Sequence, residues 1–229
     1  GVYSYINGEK YSGSFFEGQK HGQGSMHFKN GDVYSGAWHK DQKIGKGEYV
    51  GKDGMKYSGE FSDGFIQGKG SVRYPDGSTY DGEFQTQQQE GQGKFQTPEG
   101  EVFQGSWQGN VREGPGEYSK DGLRVKGNWS SDEPAGRVEV FFPNKDKFIG
   151  EIADNKFVGK GTYVFASGLK YEGDINGGDM TGDATIYYPN GDIYKGQVRT
   201  GKPHGKGVLS LENGDEYNGD WTDGLLDGQ

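Results

Sequence analysis

The sequence predicts an all-β chain: a single sheet of antiparallel β-hairpins stacked one after another into an elongated solenoid. Three observations predict it. A 23-residue phrase recurs along the 229 residues, large and small side chains alternate inside each phrase, and most of the 45 glycines fall at fixed slots of the phrase. A fixed repeat of this length marks a stacked array. Alternation at period two marks strands with one apolar face. Glycine held at fixed slots is a structural position rather than a linker.

Copies open at Tyr11, Tyr34, Tyr57, Tyr80, Phe103, Val125, Phe148, Tyr171, Tyr194 and Tyr217, with 1–10 and 217–229 as partial copies. The step is 23 residues throughout, except from Phe103 to Val125, where it is 22. The chain thus reads as one continuous array, cut within a repeat at each end and so a piece of a longer one.

Within the second copy, Tyr34-Ser-Gly36-Ala-Trp38 is the first strand. The six residues from His39 to Ile44 read as a turn, and Gly45-Lys-Gly47-Glu-Tyr49 is the second strand. Two alternating strands joined by a polar turn make an antiparallel hairpin. The glycine two after the opening ring lies on the apolar face, and the glycine pair of the second strand faces it. Bare backbone there lets aromatic rings lie flat on the sheet. Each copy closes on a turn such as Asn30-Gly31 or Asp53-Gly54, a strong hairpin signal. A two-residue loop would put the inward residues of successive copies on opposite faces. An odd-length loop with Gly31 in the left-handed region keeps them together.

Composition narrows the class. Only 29% of residues are hydrophobic, which on its own resembles a disordered chain. The 14% of aromatic residues, placed in register, reverse that reading by stacking into a stripe in which each copy depends on its neighbours for burial. There is no cysteine and the net charge is −9, so no disulfide framework is available and a reducing, intracellular setting is expected. No apolar run approaches the roughly 20 residues of a spanning helix, and no signal-peptide pattern opens the chain.

The copies differ in detail. The residue four after the opening ring is aromatic in the first five (Phe15, Trp38, Phe61, Phe84, Trp107); from the seventh copy it is Ile152, Ile175 and Val198, before Trp221 restores a ring in the tenth. The sixth copy departs furthest, with Val125 for the ring, Val138 for a glycine and Asn144-Lys-Asp-Lys147 for the closing turn. It reads as drift in a tolerant array, or as a kink or partner contact.

Tyr-x-Gly-x-Trp, a turn such as Glu17-Gly-Gln-Lys-His21, then Gly22-x-Gly24 and a closing Asn-Gly together resemble the MORN repeat (membrane occupation and recognition nexus), over the whole chain. The first, third and ninth copies match most fully. His21 and His204 fill the family's turn histidine, whereas Ile44, Gln67 and Glu90 depart from it. The resemblance implies a twisted antiparallel sheet with a lengthwise groove. It also implies use as a scaffold or binding module in cytoskeletal, ciliary and membrane-contact proteins, or as the accessory array of a larger enzyme. Fold does not choose among these.

The residues offer little for catalysis. Four histidines without cysteine show no ligand pair at a metal spacing. Glu60, Glu83, Glu151, Asp174 and Asp220 recur on the outward side of first strands, as a solvated face does. Gly-x-Gly never stands in the strand–loop–helix context that cradles a phosphate. A non-enzymatic protein with no cofactor and no metal is expected. Nucleic acid is disfavoured because no basic stripe exists. Anionic lipid is a weak alternative, as a peripheral phospholipid or phosphoinositide module, since Lys40, Lys43 and Lys46 and the Lys202/His204/Lys206 group each lie beside acids.

Apolar residues in polar slots point to protein contact. Phe65 and Ile66, Phe157 and Val158, and Leu225 and Leu226 fall where most copies have a hydrophilic hairpin tip, and Phe141 should point away from the aromatic stripe. Phe65, Ile66, Phe141, Phe157 and Val158 are the candidate partner-binding residues. Trp221, Leu225 and Leu226, with no following copy to cover them, are the candidate self-association surface of a tail-to-tail homodimer. The reading is a scaffold that binds cytoskeletal or axonemal partner proteins along its groove, in the cytoplasm, cytoskeleton or a cilium or flagellum.

Overall fold

A computed structural model describes residues 1–227. Every regular element among them is a β-strand. The chain divides into two compact units, Gly1–Gly114 and Pro115–Gln229, and the division falls inside the strand Val111–Lys120. In the first unit the strands run Val2–Ser4, Lys10–Phe16, Gln19–His27, Val33–His39, Gln42–Val50, Lys56–Ser62, Phe65–Arg73, Thr79–Gln85, Gln88–Gln96 and Val102–Gln108. The second unit holds Leu123–Ser130, Glu133–Phe141, Lys147–Ala153, Lys156–Val164, Lys170–Asn176, Asp179–Tyr187, Ile193–Arg199, Lys202–Ser210, Glu216–Thr222 and Leu225–Leu226. Within each unit these strands pair antiparallel, each with the next in sequence. The fold is thus all-β, one hairpin per copy.

The turn inside each hairpin is shorter than the sequence implies. Between Val33–His39 and Gln42–Val50 lie only Lys40 and Asp41, at φ 48° and 67°. Two residues with positive φ make a tight turn whose twist matches that of the flanking strands. The residues 42–44, expected in the turn, are therefore strand, and His39 pairs with Gln42.

The glycine pair is also split in function. Gly36 faces Gly47, but the next pair in register is Ala37 with Ile44, so two extra residues bulge from the second strand. Gly45 sits in that bulge at φ 57°, a backbone setting that glycine adopts without strain. Only the second glycine of each pair lies opposite the first-strand glycine; the expectation that both do so is corrected by this bulge. Between copies the ladder is regular, with Gly24 on Gly36, Met26 on Tyr34 and Gly22 on Trp38.

Loops between copies have the predicted odd length. Phe28 N–H donates to the Asp32 carbonyl at 2.9 Å and Gly31 N–H to the Phe28 carbonyl at 3.0 Å, with Gly31 at φ 96°. In the fifth copy, one residue shorter, Asp121 and Gly122 alone connect the strands, at φ 49° and 83°. The missing residue comes out of the loop, so the faces of the strands are kept.

Rings cover the glycine columns. Tyr34 lies over Gly36 and Gly47, so closely that a Cβ on Gly47 would stand 2.6 Å from Tyr34 Cε2. Its hydroxyl donates to the Ala37 carbonyl at 3.0 Å, and Tyr57 does the same to Glu60 at 2.9 Å. Tyr34 meets Trp38 and Phe61 edge-on at 5.1 and 4.8 Å, and Tyr57 meets Phe61 and Phe84 at 5.2 and 5.4 Å. Such edge-to-face pairs contribute about 0.5–1.5 kcal/mol each beyond burial. All four tryptophans donate Nε1–H to a glycine carbonyl of the preceding copy: Trp38 to Gly24, Trp107 to Gly93, Trp129 to Gly116 and Trp221 to Gly207.

Successive loops are stapled by a carboxylate. Asp32 accepts the Lys52 N–H at 2.9 Å and the Tyr49 hydroxyl. In the sixth copy Asp146 repeats this with Ala166 N–H at 2.7 Å and Tyr163 OH at 3.0 Å, while Lys145, at φ 72°, takes the left-handed place of the usual glycine. The divergent closing sequence therefore forms the same loop.

Candidate functional site

With rings packed on one face, the other face of the first unit carries an open groove of about 1080 Å³. Its floor is the strand backbone at Gly24, Gly36, Gly47, Gly59, Gly70 and Gly82, whose side-chain positions point the other way, under the tyrosine rings. Its walls are the residues that alternate outward from the glycine columns. Ser35 bonds Ser25 at 3.0 Å, Ser71 bonds Asp81, and Glu60 accepts the Lys69 N–H of its own hairpin's bulge at 3.2 Å. Glu48, Glu60, Asp81 and Glu83 line the groove against Lys46 and Lys69, so carboxylates outnumber ammonium groups four to two. The second unit has its own groove of about 470 Å³ on the matching face, with Arg137, Lys160, Glu172 and Asp183 among its walls and Lys160 bonded to Asp174 at 2.9 Å.

A second feature was invisible in the sequence. The residue nine after each opening ring faces the aromatic stripe, and in the first two copies it is a lysine. Lys20 Nζ lies 5.3–5.9 Å from the centroids of Tyr5, Tyr11 and Trp38 and pairs with Asp41 at 3.0 Å. Burial pulls its pKa down, but the bonds to Asp41 and Tyr5 outweigh that and the net shift is upward. Lys43 Nζ lies 5.5–5.9 Å from the centroids of Phe28, Tyr34, Tyr49 and Phe61. The alternation of the strand, once its turn is known to be two residues, would have placed both lysines inward.

The same register sorts the candidate contact residues. Phe65 is exposed, but Ile66 pairs with Phe61 on the ring face and is half-buried. Phe157 likewise faces inward, its ring 4.0 Å from that of Phe148, while Val158 stands half-buried on the opposite face. Their expected place at a tip is corrected by the two-residue turn, which makes them strand residues. Phe141 points away from the stripe and is sandwiched by Arg124 and Lys147, at 4.1 and 4.9 Å from its ring centroid. Trp221 is buried, against the expectation of an open surface. It is covered from the preceding copy by Tyr194, at 5.2 Å between centroids, and by Tyr217 at 5.5 Å. Leu225 and Leu226 are exposed. The structure does not bring these residues into one site.

The His21 and His39 rings lie 5.0 Å apart, tilted by 57°, and among the described residues no group of three or more His, Cys, Asp or Glu is placed to hold an ion.

Units of one-layer antiparallel hairpins, closed by glycine-covering rings and open along a polar groove, define a β-hairpin repeat protein. Its repeats match the family model of the MORN repeat at 11–33, 34–56, 57–79, 80–102, 103–124, 148–170, 194–216 and 217–229, and the chain belongs to that family. The copies 125–147 and 171–193 fall outside the match. No curated protein sequence matches the chain. Among solved structures it is similar to the TCP10 domain of Danio rerio CPAP, at 16% identity over 96% of this chain and 99% of that one, with a TM-score of 0.50. It is equally similar to that domain in complex with a peptide of Danio rerio STIL, at 15% identity, 96% and 93% coverage and a TM-score of 0.50. At such identity the likeness is one of fold.

Proposed function

We propose that this chain is a non-enzymatic scaffold that captures an extended segment of a partner protein in the polar groove of its first unit. The observation that carries the reading is the groove itself: its floor is strand backbone, and serine, lysine and carboxylate side chains along both walls offer bonds at each strand step. The excess of carboxylates selects a segment that carries lysine or arginine. The CPAP domain of similar fold, solved with a STIL peptide, supports peptide capture as a use of this architecture. The partner proteins belong to a cytoskeletal or ciliary assembly in this reading, and the chain self-associates through Leu225 and Leu226 as a homodimer.

The test is selection of displayed random dodecapeptides on the purified chain, followed by fluorescence anisotropy of the enriched peptides. Ser58→Trp and Glu60→Lys, both on the polar face, should abolish binding while leaving the melting temperature near that of the parent. Enrichment of no peptide, or binding indifferent to both substitutions, would overturn the groove reading. For the dimer, light scattering should show the parent as two chains and Leu225→Glu/Leu226→Glu as one; a monomeric parent refutes it.

A further inference from the structure

The tenth residues of the first two copies are both lysines on the ring face, yet their ammonium groups meet different surroundings. Lys20 is held by Asp41 at 3.0 Å and by the Tyr5 hydroxyl at 3.4 Å. One repeat on, the residue in the place of Asp41 is Gly64 and the residue in the place of Tyr5 is Phe28. Lys43 has therefore lost both partners that its counterpart uses. Among the described residues no carboxylate reaches Lys43 Nζ within ion-pair distance; four rings surround it instead. The amine lies beside a cavity of about 590 Å³ that Phe28, Tyr49 and the stem of Lys43 share with loop residues.

We propose that Lys43 is a modification site, an amine poised for N-acylation by an activated acyl donor such as an acyl thioester or an active ester. In the free-base form its nitrogen lone pair attacks the acyl carbon, the carbon–sulfur or carbon–oxygen bond to the leaving group breaks, and the leaving group departs with the electron pair. The nitrogen's extra proton goes to solvent, and a neutral amide remains. Two features favour this at Lys43 over the other lysines. A desolvated ammonium without a counter-ion disfavours its charged form, and burial indeed pushes the Lys43 pKa down, opposed only by the charge of Asp32. The amide product, being neutral and largely apolar, suits the ring-walled cavity better than the ammonium does. The other charged or titratable groups facing the amine are Tyr34 and Tyr49 beneath it and Glu9, Lys29 and Asp32 at the cavity rim. Asp32 is already engaged by Tyr49, Asn30 and the Lys52 N–H.

The experiment uses the unmodified protein. Limiting N-acetoxysuccinimide, and in a second arm acetyl-coenzyme A, are applied across a series of pH values, and site occupancy is read by peptide mass spectrometry. Lys43 should acquire the acetyl group faster than Lys20 at each pH near neutrality, and its rate should reach half-maximum at a lower pH than that of Lys20. The acetylated protein should melt at a temperature no lower than the parent's. If Lys43 stays unmodified while Lys20 and exposed lysines react, or if its rate midpoint lies at or above that of Lys20, the assignment is overturned.

Discussion

Val138 fills the space over Gly127 that the Phe148 ring covers over Gly150 in the next copy: a Cβ on Gly127 would stand 2.9 Å from Val138 Cγ1. The opening residue of that copy is Val125, too short to reach over the glycine column, and Val138 replaces the glycine that the ring would have needed. Both are buried. The sixth copy is thus a second solution to the same packing problem.

This pairing predicts coupling. Val138→Gly alone opens a void and Val125→Tyr alone drives a ring into Val138; each should cost about 1–3 kcal/mol. Together they restore the usual arrangement, so the double variant should be more stable than the sum by about 1 kcal/mol or more. Urea unfolding of the four proteins measures it, and simple additivity would refute the compensation.

Neighbouring residues on opposite faces should respond differently. A Cβ on Gly59 would lie 2.5 Å from the Gly70 Cα, beneath the Tyr57 ring, whereas Ser58 is exposed on the polar face. Gly59→Ala should lower stability by about 1–3 kcal/mol and Ser58→Ala by less than about 0.5. Thermal melts of equal midpoint would show the face assignment to be wrong.

The buried tyrosines should make the fold sensitive to alkali. Burial pushes Tyr34 and Tyr57 up to about 12 from the ordinary tyrosine value of 10.0. A folded pKa above the unfolded one gives stability that is fully present below about pH 10 and is lost as pH rises towards 12. Tyr57→Phe should cost about 0.5–1.5 kcal/mol at neutral pH through the lost bond to the Glu60 carbonyl, and should shift the alkaline unfolding midpoint to higher pH. Absorbance titration of phenolate alongside circular dichroism checks both.

At the acid end the loop staples decide. The Ala166 N–H first, then Asn144 and Tyr163, hold the Asp146 carboxyl below the usual aspartate range, against the cost of burial. A lowered folded pKa gives stability present above the unfolded value of about 4 and lost as pH falls through the folded value. Asp146→Asn should lower the melting temperature near neutrality and flatten its fall between about pH 5 and 2. A parallel fall in parent and variant would remove Asp146 from the acid response.

Much of the repeat was readable because its signals are local. The period, the alternation and the Asn-Gly loops lie within 23 residues, and the apolar face follows from period two alone. The intra-hairpin turn was not readable, since Lys40 and Asp41 adopt positive φ without the glycine that announces it, and the turn length in turn decides which way Lys43, Ile66 and Phe157 point. Trp221 was misjudged for a related reason: its cover comes from Tyr194 and the Gly207 carbonyl of the copy before it, not from one after it.

The sequence by itself determined that this chain is a MORN-repeat array of hairpins, with tyrosine, glycine and tryptophan as the recurring parts of its core. Only the tertiary structure decided where the bulge falls, that a groove floored by strand backbone opens on the polar face, and that Lys43 stands among rings without an anion. These depend on which strand lies beside which and in what register. Residues such as Lys43, Phe28 and Gly64 are separated in the chain and meet only when consecutive hairpins pair, so no single copy contains the information.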